Sequence, residues 1–343
     1  MANNFHFIRL IASVFVVYSH SFYLMGNYKD QLDILTSSKL TFGNLGVSIF
    51  LIVSGYLITN SIFYASSSLN FLWKRILRVL PALWVMLLLS VFIIAPIFSY
   101  LPVTKFFIED ISSYTFLVNG LLFIPNAFKI GTVFTHNPLG TFNGCLWTIA
   151  YEMFFYLIVV VFFKAKLMKV KWLILFQWFV FVMIQLYLGD RIYTYSYSTI
   201  FLLNLNIADT FKLFIYFEAG MLMYLFKDLL TINKKVLALL TFLLIFSLLK
   251  FETIYLQLLL PLVIIPFAFE KSANFSYVGK YGDFSYGVYL YGYIVQQCLV
   301  ALKLPFLNPY ILFFISITIT LIISYFSWHF IEKKMLKFKS LVK

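Results

Sequence analysis

Long apolar stretches recur along the whole chain and are separated by short polar connections. A helix needs about 20 mostly apolar residues to cross the hydrocarbon core of a bilayer. A window of that length predicts about ten membrane-spanning helices, over residues 7–26, 43–63, 77–98, 144–163, 172–189, 205–226, 235–250, 252–269, 284–302 and 310–331. The pattern therefore predicts an all-α polytopic membrane protein.

The longest connection, residues 99–143, contains a further apolar piece, Tyr114–Pro125. This piece is too short to span a bilayer and is interrupted by Gly120 and Pro125, which favours a re-entrant or surface-lying segment. No hydrophilic stretch long enough for a soluble domain is attached to the spans. We therefore expect a single transmembrane domain over residues 1–343.

Composition supports this reading and excludes two other classes. Of the 343 residues, 62% are hydrophobic and only 11% are charged, whereas a soluble domain has about 45–50% apolar and about 25% charged residues. A soluble enzyme and a disordered chain are therefore excluded. The two cysteines, Cys145 and Cys298, are too few and too far apart to indicate a disulfide framework, and the histidines are isolated, so we expect no metal site.

Positive charge is concentrated at alternate connections. The chain has 26 Lys and Arg residues against 13 Asp and Glu residues, a net charge of +13. If the N-terminus is inside, most of the basic residues fall in connections that face the cytoplasm, as in 164–171 and 333–343. Because cytoplasmic connections are enriched in Lys and Arg, we predict that both termini are cytoplasmic and that residues 99–143 are external. The excess charge indicates topology and lipid contact, not a nucleic-acid surface.

Two ionisable residues of the first span lie on one helix face. Such residues cost about 2.5–3.5 kcal/mol each on membrane insertion, so each is a candidate for function. Arg9 and His20 are eleven residues apart, which is three helical turns plus about 20°, and about 16 Å along the axis. This face would offer a guanidinium near the cytoplasm and, deeper in the membrane, an imidazole, the usual general base near neutral pH.

Three more ionisable side chains, Lys212, Glu218 and His329, fall inside predicted spans. Lys212 and His329 lie near span ends, which favours side chains that simply reach the interface over a role in the site. For Glu218, a hydrogen bond between helices and a role in the site both remain open.

A second basic group lies at the predicted cytosolic start of the third span. Arg75 and Arg78 are three residues apart, so they share one helix face. Paired guanidinium groups suit bidentate binding of phosphate. The alternative is an ordinary positively charged flank of a span.

A third cluster lies at the outer end of the fourth span and contains Trp147 and Glu152. Trp147 alone would fit an aromatic residue at the membrane interface. Glu152 lies deeper, where a carboxylate needs a partner, and His20 reaches a similar depth from the opposite side. A Glu152–His20 pair is therefore geometrically feasible, with the carboxylate holding the imidazole or stabilising its protonated form.

Several short motifs follow one another in a set order along nearly the whole chain. They are Asn3-Asn4-Phe5, Arg9-Leu10-Ile11-Ala12 with His20-Ser21, Phe50-Leu51-Ile52-Val53-Ser54-Gly55-Tyr56-Leu57-Ile58, Arg75-Ile76-Leu77-Arg78-Val79-Leu80-Pro81, Asn143-Gly144-Cys145-Leu146-Trp147-Thr148 with Glu152 and Tyr156, Tyr286-Gly287-Val288-Tyr289-Leu290, and Phe330-Ile331-Glu332-Lys333. Together they resemble the acyltransferase 3 family of integral-membrane acyltransferases, whose members have about ten spans and often acetylate carbohydrates of the bacterial envelope from a cytosolic acyl-coenzyme A.

Three positions depart from the family pattern. His6 stands where related sequences often have Asp, Cys145 where they often have Ser, and Gly292 where many have a histidine. The last departure means that His20 must carry the proton chemistry alone or with Glu152.

The resemblance implies a role for each candidate residue. Arg9, Arg75 and Arg78 would hold the phosphates of acetyl-CoA, which is a donor substrate and not a bound cofactor. His20 would be the catalytic base, with Glu152 beside it, and would act directly or through an acyl-histidine. The substrate-binding candidates, for which helix packing is the alternative, are Trp147, Ser54, Ser285 and Tyr286.

The implied function is an O-acyltransferase of the bacterial plasma (inner) membrane that acetylates an envelope polysaccharide or its lipid-linked precursor. The implied enzyme class is that of the acyltransferases that transfer groups other than aminoacyl groups. Transfer of another acyl group, such as succinyl, is one alternative. A transporter or flippase for a lipid-linked sugar is another, although the sequence lacks obvious inverted halves with paired broken helices.

Overall fold

The computed structural model describes residues 3–121, 128–189, 191, 199–200, 205–230, 232–250, 254–271 and 274–342. Its helices are α1 (Phe5–Leu24), α2 (Gln31–Leu35), α3 (Phe42–Phe63), α4 (Ser68–Leu89), α5 (Ala95–Phe98), α6 (Val103–Glu109), α7 (Ser112–Leu117), α8 (Trp147–Lys164), α9 (Lys171–Leu188), α10 (Ile207–Leu225), α11 (Lys234–Lys250), α12 (Ile254–Phe269), α13 (Ser285–Ala301), α14 (Pro309–Ser327) and α15 (Lys333–Met335). A small antiparallel hairpin of β1 (Thr199–Ile200) and β2 (Leu205–Asn206) is added to the predicted helical fold.

Within the described residues, six stretches are long and apolar enough to cross a membrane. They are Phe5–Leu24, Phe42–Phe63, Ser68–Phe98, Trp147–Lys164, Lys171–Leu188 and Pro309–Ser340. The other four predicted spans coincide with α10 to α13. Of these, α11, α12 and α13 have only 17, 16 and 17 residues, and α10 carries Asp209, Lys212 and Glu218. A helical polytopic membrane protein is confirmed, while the count of ten spans and the position of the termini stay predictions.

Helix α4 begins earlier than the apolar pattern predicts, at Ser68 instead of residue 77. The side chain of Ser67 caps it by accepting a hydrogen bond from the backbone N–H of Asn70 at 3.0 Å. Such a cap satisfies a backbone donor that the helix itself leaves free. Arg75 and Arg78 therefore lie inside the helix, not at its start, and their side chains are held between neighbouring helices.

Helix α3 packs against α1 on one side and α10 on the other. The crossing with α10 is so close that it requires glycine in both helices. A Cβ on Gly55 would lie 1.9 Å from the carbonyl oxygen of Phe217, and one on Gly220 would lie 2.0 Å from that of Ile52. Small residues of this kind allow helix backbones in a membrane to approach closely. This contact fixes α3, which carries Ser54, relative to the rest of the bundle.

The predicted external segment is built from short helices, including α6 and α7. Buried Asp110 joins them to the following chain, because it accepts hydrogen bonds from Ser112 and from the backbone N–H of Thr132 at 3.0 Å. Burial alone would raise the pKa of Asp110, but these hydrogen bonds lower it below its ordinary value. The predicted re-entrant piece, Tyr114–Pro125, overlaps the second half of α7, and its residues 122–125 lie outside the described residues.

Candidate functional site

A cavity of about 50 Å³ lies inside the bundle, and we call it the inner cavity. It is lined by residues of α1, α3, α8 and α13, among them Arg9, Phe50, Thr148, Glu152, Tyr286 and Tyr289. Three of the residues predicted to belong to the site, Arg9, Glu152 and Tyr286, therefore meet at one place. They come from motifs far apart in sequence.

Glu152 is held in the inner cavity by two hydroxyl groups. Ser54 of α3 donates to its Oε1 at 2.9 Å, and Tyr156, one helical turn further along α8, donates to the same oxygen. Hydrogen bonds of this kind stabilise a carboxylate away from water. Ser54, predicted to bind substrate, thus positions the carboxylate.

His20 lies at a different level from Glu152. Its Nδ1 is 3.8 Å from the Sγ of Cys145, and its ring packs edge-on against Tyr293 with centroids 5.0 Å apart. No hydrogen bond joins His20 to Glu152 in the described part of the chain. The pairing that the sequence allowed is not formed among these residues, because His20 meets the chain just before the first residue of α8, Trp147, and Glu152 is five residues further on, about 7.5 Å along the axis.

A hydrogen bond nevertheless connects the inner cavity to the surroundings of His20. The hydroxyl of Tyr289, which lines the cavity, donates to the carbonyl oxygen of Cys145 at 3.0 Å and is bonded to Thr148 as well. Cys145 therefore contacts both parts of the site: its carbonyl oxygen accepts a hydrogen bond from a cavity residue, and its thiol contacts the imidazole of His20.

A second, larger opening of about 660 Å³ lies at the predicted cytosolic side, and we call it the basic cleft. Its lining includes Lys74, Arg75 and Arg78 of α4, together with Lys339 near the C-terminus. Arg75 donates to the hydroxyl of Ser61 at 3.2 Å. The predicted phosphate-binding arginines of α4 thus face one cleft that also presents two lysines.

Asp283, which immediately precedes Phe284 and helix α13, joins the two openings. Its Oδ2 accepts a hydrogen bond from Arg9 at 2.5 Å and from Arg78 at 2.6 Å, and the residue is only 4% exposed. Burial alone would raise the pKa of Asp283, but Arg9 and Arg78 hold it well below its usual range. Arg78 also donates to Glu332 at 3.1 Å, so it bridges two buried carboxylates.

The structure places the three remaining substrate-binding candidates in different surroundings. Tyr286 lines the inner cavity and donates to the carbonyl oxygen of Val79 at 2.9 Å. Ser285 is fully buried and donates to Oδ1 of Asp283 at 2.5 Å, which agrees with the structural alternative. Trp147 stacks edge-on with Tyr151 and is not among the residues that line the inner cavity or the basic cleft.

The other ionisable residues of the spans lie apart from both openings. His329 packs against the ring of Tyr325, with centroids 4.3 Å apart. Glu218 is fully buried, and its two carboxylate oxygens accept no hydrogen bond from the described residues. Lys212, near the start of α10, is also absent from the linings of the inner cavity and the basic cleft.

Sequence reasoning missed Asp283, and it named Glu332 only as part of a motif, without its role; these two carboxylates hold the arginines. A signal existed, because acidic residues are scarce in this chain and each of these flanks a predicted cytosolic span end where basic residues dominate. It also missed Tyr289, whose hydroxyl connects the cavity to the neighbourhood of His20.

The fold and the site together define a class. This is a polytopic helical membrane protein with a cationic cleft and a separate cavity between its helices, and an arginine from each opening donates to the same buried carboxylate. Such an arrangement suits a protein that takes an anionic substrate from one side of the membrane.

Comparison with known proteins identifies the family. Residues 3–329 match the acyltransferase 3 family, described as an acyltransferase domain. An O-acetyl transferase of Shigella phage Sf6 is 27% identical over 338 residues, which are 98% of this chain and 96% of the phage protein. Nodulation protein 10 of Rhizobium leguminosarum bv. viciae is 32% identical over 164 residues, 45% of this chain and 42% of that protein. No solved structure matches.

The chain therefore belongs to the acyltransferase 3 family. The predicted family is confirmed, as is the predicted enzyme class, an acyltransferase of the O-acetyltransferase type.

Proposed function

We propose that the protein transfers an acetyl group from cytosolic acetyl-CoA to a hydroxyl of an envelope carbohydrate or its lipid-linked precursor, in the bacterial plasma (inner) membrane. The observation that carries the proposal is the meeting of Arg9 and Arg78 at one carboxylate between the basic cleft and the inner cavity. Two cationic motifs from separate helices converge where an anionic donor would enter.

The donor would bind with its charged end in the basic cleft. Lys74, Arg75, Arg78 and Lys339 offer cationic donors around a space of about 660 Å³, which suits the phosphates of coenzyme A. The uncharged pantetheine arm would extend past the inner cavity, which at about 50 Å³ has to widen when the arm enters. Glu152, held by Ser54 and Tyr156, would accept a hydrogen bond from an amide N–H of that arm.

His20 would act as the general base. It lies about 16 Å beyond Arg9 along α1, a separation that suits the length of the arm. The imidazole removes the proton of the acceptor hydroxyl as its oxygen attacks the thioester carbonyl. The C–S bond then breaks, and the coenzyme A thiolate takes up the proton from the imidazolium. Because Nδ1 faces Cys145, Nε2 would be the nitrogen that carries this proton.

The test is labelled acetyl transfer in membranes that contain the protein and the envelope glycan of its host. We expect acetyl-CoA-dependent ester formation with the wild type and a loss of at least about 100-fold in His20→Ala, the usual contribution of a general base. His329→Ala is the matched control, because that imidazole lies outside both openings. Unchanged transfer by well-expressed His20→Ala would overturn the mechanism.

Two further experiments distinguish acetyl transfer from the two alternatives, transfer of another acyl group and transport of a lipid-linked sugar. Succinyl-CoA offered beside acetyl-CoA, with mass spectrometry of the glycan, identifies the acyl group. Movement of a lipid-linked sugar without any dependence on acyl-CoA would instead identify a transporter.

A further inference from the structure

The carboxylate of Asp283 is shared by two arginines that come from different helices. Oδ2 accepts one hydrogen bond from Arg9 of α1 and one from Arg78 of α4, at 2.5 and 2.6 Å. Its other oxygen accepts a hydrogen bond from the hydroxyl of Ser285, the first residue of α13, at 2.5 Å. Three helices are thus joined at one buried acidic side chain.

The position of Asp283 relative to the basic cleft and the inner cavity also bears on its role. Arg78 belongs to the lining of the basic cleft, and Arg9 belongs to that of the inner cavity. Asp283 therefore lies between a lining residue of each opening. Any donor that has its phosphates in the cleft and its thioester beyond the inner cavity passes this point.

Two guanidinium groups that share one oxygen are necessarily close together, and like charges at such a separation repel in a weakly polar environment. The carboxylate removes that repulsion and fixes both groups in one orientation. A guanidinium carries five N–H donors. The hydrogen bonds among described residues use one terminal nitrogen of Arg9 and two of Arg78, so N–H groups of both remain for a further anion.

We propose that Asp283 is a positioning residue for the donor: it clamps Arg9 and Arg78 together so that their remaining N–H groups bind a phosphate of coenzyme A. This inference rests on the proposed function and adds to it the residue that assembles the phosphate site. Because the clamp acts on phosphate and not on the pantetheine arm, its loss affects phosphate-bearing ligands selectively.

The experiment measures the Kd values of coenzyme A and of pantetheine, which has the same arm without phosphates, by titration calorimetry on the purified full-length protein. In Asp283→Asn, which keeps the shape but loses the charge, we expect the Kd of coenzyme A to rise at least tenfold and that of pantetheine to change less than twofold. Asp228→Asn is the matched control, since it removes an exposed carboxylate near the predicted cytosolic end of α10.

A second variant covers the case in which Asp283→Asn does not fold. Asp283→Glu keeps the charge and displaces it by one methylene, and we expect a smaller rise in the Kd of coenzyme A, about threefold, again with pantetheine unchanged. An unchanged or lower Kd of coenzyme A in these variants would overturn the inference, the lower value indicating that Asp283 competes with phosphate. An equal loss for pantetheine would also overturn it, because it would indicate a general structural defect. If the wild type binds no coenzyme A at all, the proposed donor falls and the inference falls with it.

Discussion

Arg78 bridges two buried carboxylates, and its replacement by lysine should destabilise the protein measurably. The guanidinium donates to Asp283 at 2.6 Å and to Glu332 at 3.1 Å, while its plane lies over the ring of Trp328 at 5.1 Å. The ammonium of lysine is a compact charge at the end of a flexible side chain, so it cannot donate to two carboxylates in the fixed directions that the planar guanidinium provides. One of the two carboxylates therefore loses its hydrogen bond from residue 78; Asp283 would still have Arg9, whereas Glu332 would lose its cationic partner.

The magnitude follows from the lost contacts. A hydrogen bond to a charged buried group contributes about 1.5–3 kcal/mol, so Arg78→Lys should lower the free energy of unfolding by about 2–3 kcal/mol. Removing the charge altogether, as in Arg78→Met, leaves Glu332 with the hydroxyl of Ser327 as its hydrogen-bond donor among the described residues, at a cost of about 3–5 kcal/mol. At about 2 °C per kcal/mol for a chain of this size, the unfolding temperature should fall by about 4–6 °C and 6–10 °C, respectively.

The assay is thermal unfolding of the detergent-purified protein, followed by intrinsic fluorescence. Lys74→Met is the control, because Lys74 lines the same cleft one helical turn earlier and a partly exposed lysine should change stability by less than about 0.5 kcal/mol. The double variant Arg78→Met with Glu332→Gln should recover part of the lost unfolding free energy. Removing both partners of a buried pair costs less than leaving one of them charged and without a partner. If the double variant unfolds at or below the temperature of Arg78→Met, or if Lys74→Met is equally damaging, the reasoning is refuted.

Three further predictions concern packing, pH and the thiol. Gly220→Val should cost about 3 kcal/mol or more, because the new side chain meets the backbone of Ile52, whereas Gly140→Ala, with open space around it, should leave the unfolding temperature unchanged; equal effects would contradict the close crossing. Because Arg9 and Arg78 hold the pKa of Asp283 below its ordinary value, the pairing stabilises the fold above the unfolded-state pKa of about 4 and is lost as the pH falls through the lower folded-state value. His6 also contacts this carboxylate, at 3.6 Å, so the comparison is made below pH 5: the unfolding temperature of the wild type minus that of Asp283→Asn should decrease from pH 5 to pH 3, and a difference that grows over that range would exclude this sign. Cys145→Ser should keep acetyl transfer, because a hydroxyl is a stronger hydrogen-bonding group than a thiol and reaches the imidazole after a small side-chain shift from the present 3.8 Å. Cys145→Val should lower the rate roughly tenfold, the equivalent of one hydrogen bond; equal rates would show that this contact is dispensable.

The local features of the fold were predictable from sequence. The apolar window located α1 and α3 within a few residues, because the thickness of the bilayer dictates both length and composition. It placed the start of α4 late, because the cap at Ser67 and the polar residues of the first turns lie outside an apolar pattern. Helix starts depend on caps, which hydropathy does not record.

The site was predictable only in part, for a similar reason. The register of Arg9 and the spacing of Arg75 and Arg78 follow from one helix each, and these residues do line the two openings. The partners of the arginines are long-range contacts, as with Arg9 and Asp283, which are 274 positions apart. The depth of Glu152 relative to that of His20 likewise depends on the relative positions of α1 and α8 along their axes, which neither helix specifies alone.

The central claim is that acetyl-CoA enters from the cytosolic side through the basic cleft and delivers its acetyl group to a glycan hydroxyl. Inverted and right-side-out membrane vesicles, each given external labelled acetyl-CoA, which does not cross a bilayer, test this most directly. The account predicts ester-linked label on the glycan in inverted vesicles only, and its loss there in the His20→Ala variant. Equal labelling in right-side-out vesicles, or labelling that persists in His20→Ala, would contradict it.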